Sequence, residues 1–249
     1  MIQQTLNEKL LQLRLPAFRD GLKEQAANPQ YAALPFEERL LLLVEQECTR
    51  RADNRLKRRL KGADFPFQAA VPDLDFDPER GLDRRQVLEL AHGAWIDQAL
   101  NILVLGATGT GKTFISSALG HAACQAGYTV RYLRTSRQLL LLERARQDGS
   151  YLAQLRSLTK TDLLIFDDWL RDPVQLSAAQ HLMEIFDDRF GKASTLIATQ
   201  LPVPEWHTRF PDPTLADAVL DRLVHNAYRL NLAGESQRKL RSIRSMSHT

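Results

Sequence analysis

Apolar residues along the first sixty positions recur at helical spacing. Leu6, Leu10 and Leu13 fall on one face, and Thr5 with Glu8 three positions on has the form of a capping box, which predicts a first helix opening at Thr5. Pro16 ends that segment. Phe18 and Leu22 repeat at i, i+4 in a second segment, which Asn28-Pro29 closes. Pro35 stands where a third helix begins, with Glu37 and Glu38 in its first turn, and no Gly or Pro follows until Gly62. One long helix is expected there, roughly 38 Å at about 1.5 Å per residue.

Between Gly62 and Asp83 the periodicity fades into Pro66, Pro72, Pro78, Gly81 and the acids Asp73, Asp75 and Asp77, the composition of a linker or a wrapping segment. Beyond it, short apolar runs at 101–105, 128–133, 162–166, 195–199 and 228–232 alternate with helical stretches. That alternation predicts an α/β domain with a parallel sheet covered by helices. The expected organisation is a small all-helical N-terminal domain at 1–62, a linker at 63–83 and the α/β domain at 84–249.

Composition changes this picture little. At 44% hydrophobic residues the chain can bury a sizeable core. Its longest aliphatic run, 40–44, is far short of the roughly 18 residues of a membrane span, and no export leader opens the chain, so a soluble cytoplasmic protein without a membrane partner is expected. Cys48 and Cys124 lack metal-ligand spacing and read as small core residues.

Charge changes it more. Residues 50–61 carry Arg50, Arg51, Arg55, Lys57, Arg58, Arg59 and Lys61 against Asp53, and residues 236–249 add four bases and no acid, although the whole chain has a net charge of only +3. Concentrated positive charge points to a polyanion. On the long helix Arg51, Arg55 and Arg58 share a face at i, i+4, i+7, beside an apolar strip of Ala52, Leu56 and Leu60. With Arg59 they form a basic ridge suited to phosphate contacts independent of sequence, and the lack of interleaved aromatics favours duplex over single strands.

The chemistry begins at Gly106-Ala107-Thr108-Gly109-Thr110-Gly111-Lys112-Thr113, which fits GxxxxGK[ST] between an apolar strand and a helix. The glycines permit a backbone whose amides surround phosphate at a helix N-terminus, Lys112 supplies charge to the β/γ oxygens, and the Thr113 hydroxyl suits Mg²⁺. Four apolar residues at 163–166 then deliver Asp167 and Asp168 to a strand end. Asp167 is expected in the magnesium shell and Asp168 as the group that orients and deprotonates water. No NKxD guanine-reading motif and no GxSxG elbow occurs, which disfavours a GTPase and a serine hydrolase.

Across nearly its whole length the chain resembles the IstB family of transposition helper ATPases, relatives of the DnaC helicase loaders in the AAA+ class. The resemblance runs from Leu13-Arg14-Leu15 through Leu82-Asp83 to Trp95, the P-loop, Asp167-Asp168, Leu201-Pro202, Trp206-His207, Leu220-Asp221-Arg222-Leu223 and Gly234-Glu235-Ser236. It implies an AAA+ P-loop core that hydrolyses ATP with Mg²⁺, self-associates into a ring or spiral, binds duplex DNA and stimulates a transposase. It implies a γ-phosphate sensor at Gln200, an arginine finger at Arg222 and a second sensor arginine at Arg238, with Lys239 and Arg241 as rivals. By the same resemblance His92 and Trp95 lie where the class builds its adenine pocket, Trp95 reading equally as a core residue, and Arg144 and Arg146 lie on a DNA-facing helix after the second strand. A helicase loader with the same core, or a DNA-architectural protein using the P-loop as a passive switch, remain as alternatives.

Overall fold

The computed structural model describes residues 2–236, which fall into two compact units divided between Arg58 and Arg59. The first unit contains α1 (Ile2–Gln12), α2 (Pro16–Ala27), a 3-10 turn (Pro29–Ala33) and most of α3 (Phe36–Ala63). The first helix starts ahead of Thr5, since no Gly or Pro at 2–4 resists helix, so the expected capping box sits inside it. Of its apolar face only Leu10 is buried.

A carboxylate organises this unit. Pro16 occupies the first turn of α2 and the residue before it, Leu15, has no side chain able to cap. The buried Glu47 of α3 supplies that cap from a distance, accepting from the Ala17 amide at 2.9 Å and the Phe18 amide at 3.3 Å. Burial pushes its carboxyl up, but ion pairs to Arg50 at 3.0 Å and Arg51 at 2.9 Å, together with the two amides, outweigh it and hold the group down at about 2.

In the second unit, α4 (Arg84–Ala91) and the short α5 (Ala94–Asp97) lead into β1 (Asn101–Gly106). Then follow α6 (Lys112–Ala126), β2 (Val130–Arg134), α7 (Thr135–Asp148), α8 (Tyr151–Thr159), β3 (Leu163–Asp167), α9 (Leu176–Arg189), β4 (Ser194–Thr199), α10 (Pro213–Val224) and β5 (Ala227–Leu232). All five expected strands form, each within two residues of its expected bounds. They make one sheet in the order β2-β3-β4-β1-β5, every pairing parallel. The residues of β3 and β4 are buried throughout, as a sheet covered on both faces requires.

Phe166, Trp169, Phe186 and Trp206 meet edge to face in the core at 5.5–5.9 Å between ring centres. At the start of the sheet Arg189, 1% exposed, donates to the carbonyls of Leu158, Thr161, Asp162 and Ser194. Burial lowers this guanidinium to about 9, and the four carbonyls satisfy donors that would otherwise be orphaned. Cys124 is a core residue as expected, its thiol pushed up to about 11 by burial, whereas Cys48 is exposed on α3, where the apolar stripe does not reach it. Among the described residues no helix is long and apolar enough to cross a membrane.

Candidate nucleotide site

Parallel strands put their C-terminal ends on one edge, and strand order decides which loops meet there. Because β4 lies between β1 and β3, the loop after β1, the acids ending β3 and the residue after β4 converge. A cavity of about 670 Å³ opens at this edge, lined by Thr108, Lys112, Thr113, Asp167, Asp168 and Gln200.

The loop's glycines are required by geometry. A Cβ on Gly106 would sit 2.6 Å from the Leu232 carbonyl oxygen, and Gly111 precedes α6 at φ +100°, a left-handed conformation that glycine adopts freely. Among the described residues no side chain caps α6, and a helix N-terminus at the cavity favours an anion. Thr110 is buried and folds its hydroxyl onto the Ala107 carbonyl at 2.9 Å. The Lys112 ammonium donates to the carbonyls of Gly106 at 2.7 Å and Ala107 at 2.8 Å, holding the loop in a compact turn.

Opposite, the Thr113 hydroxyl donates to Asp167 at 2.8 Å. The same carboxylate accepts from the Tyr132 hydroxyl and, through its other oxygen, from the Asp168 amide at 2.9 Å. Burial, reinforced by Asp167, pushes the Tyr132 phenol well above its ordinary range, so it stays a donor. Asp168 follows at φ +54°, a conformation Asp tolerates better than most residues. The turn is clamped from both sides, the Thr135 hydroxyl bonding the Asp167 carbonyl at 2.8 Å and the Trp169 amide bonding the Ala198 carbonyl at 3.1 Å. A hydroxyl and a carboxylate this close are hard oxygen donors and fit Mg²⁺, which takes one or two protein oxygens and fills its octahedron from phosphate and water.

Gln200 accepts from the Thr108 hydroxyl and so reaches the P-loop. Arg222 does not. It lies in the last turn of α10 at the other edge of the sheet, where Asn101, the first residue of β1, donates to its carbonyl at 3.0 Å. Its guanidinium is held by Asp187 at 2.6 Å and by the Ala218 carbonyl at 2.8 Å, over the Phe190 ring. Arg238, Lys239 and Arg241 lie outside the described residues. His92 and Trp95 take no part in lining the cavity: the His92 ring bonds the Leu88 carbonyl at 2.7 Å, and Trp95 is a core residue whose indole donates to the Leu90 carbonyl at 2.8 Å.

The 63–83 stretch does line it, through Phe67, Leu74, Arg80 and Leu82 beside Leu232. Tyr132 and Arg80 are site residues that the sequence alone does not single out. Tyr132 sits in an apolar strand, where an aromatic signals only β-structure, and Arg80 sits among prolines with no periodicity to orient it.

The basic residues separate by environment. On α3, Arg51 donates to Glu47 and to the Arg14 carbonyl at 3.0 Å, while Arg55 and Arg58 are exposed. Arg59 belongs to the second unit, half-buried beside Gly127 at the end of α6. On α7, Arg146 pairs with Glu184 at 3.3 Å over the Tyr151 ring, and Arg144 is exposed.

An all-parallel sheet with a P-loop after β1, paired acids after β3 and a strand between them is an α/β P-loop fold of the AAA+ class. A crystal structure of the DnaC helicase loader shares it, with a TM-score of 0.55 over 66% of this chain and 96% of that one at 15% identity. The chain belongs to the family described as IstB-like ATP binding protein, which it matches over residues 8–245. It is 42% identical to an insertion sequence ATP-binding protein of Sinorhizobium fredii, over 93% of this chain and 95% of the relative. To the ATP-binding protein of insertion sequence IS1162 of Pseudomonas fluorescens it is 43% identical, over 84% and 94%.

Proposed function

We propose that this chain is the ATP-driven helper of an insertion sequence: it assembles on duplex target DNA when ATP and Mg²⁺ are bound, stimulates a transposase, and hydrolyses ATP to reset. The observation that carries the reading is the division of the catalytic set between the two edges of one sheet. Lys112, Thr113, Asp167, Asp168 and Gln200 stand at the C-terminal edge, and Arg222 stands at the start of β1, roughly 20 Å away for six residues at about 3.3 Å each. An arginine so placed serves the triphosphate of another subunit, which ties hydrolysis to assembly.

In this reading Lys112 and the α6 amides hold the β- and γ-phosphates. Thr113 and Asp167 would hold Mg²⁺, which when bound would neutralise negative charge on the phosphate oxygens. Asp168 orients a water and takes its proton as the water oxygen bonds to the γ-phosphorus and the bond to the bridging oxygen breaks, releasing ADP and phosphate. Gln200, tied to Thr108, reports whether the γ-phosphate is present, and Arg222 from the neighbour stabilises the transition state. The names of the relatives, the shared fold and the exposed Arg55, Arg58 and Arg144 support the DNA-linked role.

The test compares three variants by ATPase rate and by particle size with duplex DNA. Lys112→Ala should abolish nucleotide-dependent assembly. Asp168→Asn should assemble and stay assembled. Arg222→Ala should bind ATP but hydrolyse it about 10³-fold more slowly, at the low end of what such fingers supply. Wild-type turnover by Arg222→Ala would refute the scheme.

A further inference from the structure

Arg80 has no role in the scheme above, yet it is the most deeply buried guanidinium lining the cavity. It is 8% exposed and stands against the P-loop, donating through Nη2 to the Thr110 carbonyl, close enough that a Cβ on Gly111 would lie 3.1 Å from the same nitrogen. Its Nε is buried without a hydrogen-bond partner among the described residues. Among those residues its carboxylate partner is Asp75, 3.6 Å away and 57% exposed, too distant and too wet to balance a buried charge. The backbone cannot retreat. The Arg80 carbonyl accepts from the Ala233 amide at 2.9 Å, and Gly81 is packed so closely that a Cβ there would meet the Asn231 carbonyl oxygen at 2.8 Å.

A buried guanidinium that lines the cavity, stands against a phosphate-binding loop and has only a distant, exposed carboxylate is short of negative charge, which a phosphate in the cavity would supply. We propose that Arg80 is a nucleotide-binding residue acting in its own subunit: it donates to the phosphates of the nucleotide held by the P-loop, and the 63–83 stretch thereby becomes part of the binding site. The inference rests on the reading of this cavity as the ATP site and adds a phosphate ligand to it.

The experiment titrates the full chain, with Mg²⁺, against ATP, ADP and adenosine, using wild type, Arg80→Gln and Arg80→Lys, each checked for an unchanged melting temperature. Arg80→Gln should lose about 10- to 100-fold in affinity for ATP and ADP and nothing for adenosine, as expected for a charge-assisted bond, with Arg80→Lys between the two. Asp75→Asn, which keeps an oxygen to accept from the Asp77 amide, should tighten ATP and ADP binding several-fold by removing the competing carboxylate. The proposal falls if Arg80→Gln binds ATP as tightly as wild type, or loses ATP and adenosine in equal measure. Should the Arg80 variants not fold, unchanged ATP affinity in Asp75→Asn overturns it instead. Failure of the wild-type chain to take up ATP is a different result, which removes the nucleotide site itself.

Discussion

Arg51, Arg55 and Arg58 share one face of α3, but they do not share a task. Arg51 is drawn onto Glu47 and the Arg14 carbonyl, which leaves Arg55 and Arg58 as exposed charges whose side chains have no partner among the described residues. Arg59 lies at the end of α6, where a cation offsets the helix dipole, and Arg146 is paired with Glu184. Phosphate contacts release counterions, so each true contact contributes about 0.9 to the slope of log affinity against log salt. Replacing Arg55 and Arg58 together with Gln should flatten that slope by about 2 for a duplex of any sequence. The matching Arg51 and Arg59 double variant should leave the slope nearly unchanged and lower the melting temperature. Titrations between low and moderate salt with a fluorescent duplex would read this, and equal slopes for the two double variants would contradict the sorting. A helical wheel places all three on one face, but it cannot report that Glu47 and the Arg14 carbonyl claim one of them.

At the scale of elements, what was legible follows from periodicity. The inner strands β1, β3 and β4 are mainly apolar runs long enough to be buried on both faces, and the P-loop and the Asp167-Asp168 pair each carry their own local pattern, so their meeting at one edge follows once the sheet is parallel. The 63–83 stretch is not legible as a cavity wall, because Pro72, Pro78 and Gly81 break up the run in which Phe67, Leu74 and Leu82 stand and the P-loop and β5 they meet are distant in sequence. Glu47 was hidden for the same reason, as a cap thirty residues from the helix it caps. Its folded pKa is depressed from 4.5 to about 2, so its stabilisation is complete above 4.5 and is lost as pH falls through about 2. A tenfold change in proton affinity is worth about 1.4 kcal/mol, and water around the half-exposed Arg50 and Arg51 screens part of the total. Glu47→Gln should therefore destabilise the first unit by about 2–3 kcal/mol at pH 7. Hydrogen exchange of the α2 amides in the full chain would show it, and the difference between variant and wild type should narrow steadily as pH falls from 4.5 towards 2. A difference that persisted at the acidic end would assign the effect to shape rather than charge.

In the proposed assembly one subunit's Arg222 completes another's site. Within its own chain the guanidinium is held by Asp187, an ion pair that assembly would exchange for a neighbour's phosphate. Asp168→Asn keeps the arginine and spoils the site, and Arg222→Ala keeps the site and loses the arginine. In a head-to-tail assembly each interface joins the site of one subunit to the finger of the next. Mixing the two inactive variants in equal amounts therefore creates interfaces in which an intact site faces an intact finger, about a quarter of the total if subunits mix at random. ATP hydrolysis should reappear on mixing, up to about that fraction of wild type, and should fall on dilution as the mixed assembly dissociates. If arginine and acid acted within one chain, no mixed interface could repair either defect. The mixture would then hydrolyse ATP no faster than the average of its parts, even where sizing showed that the two variants had co-assembled.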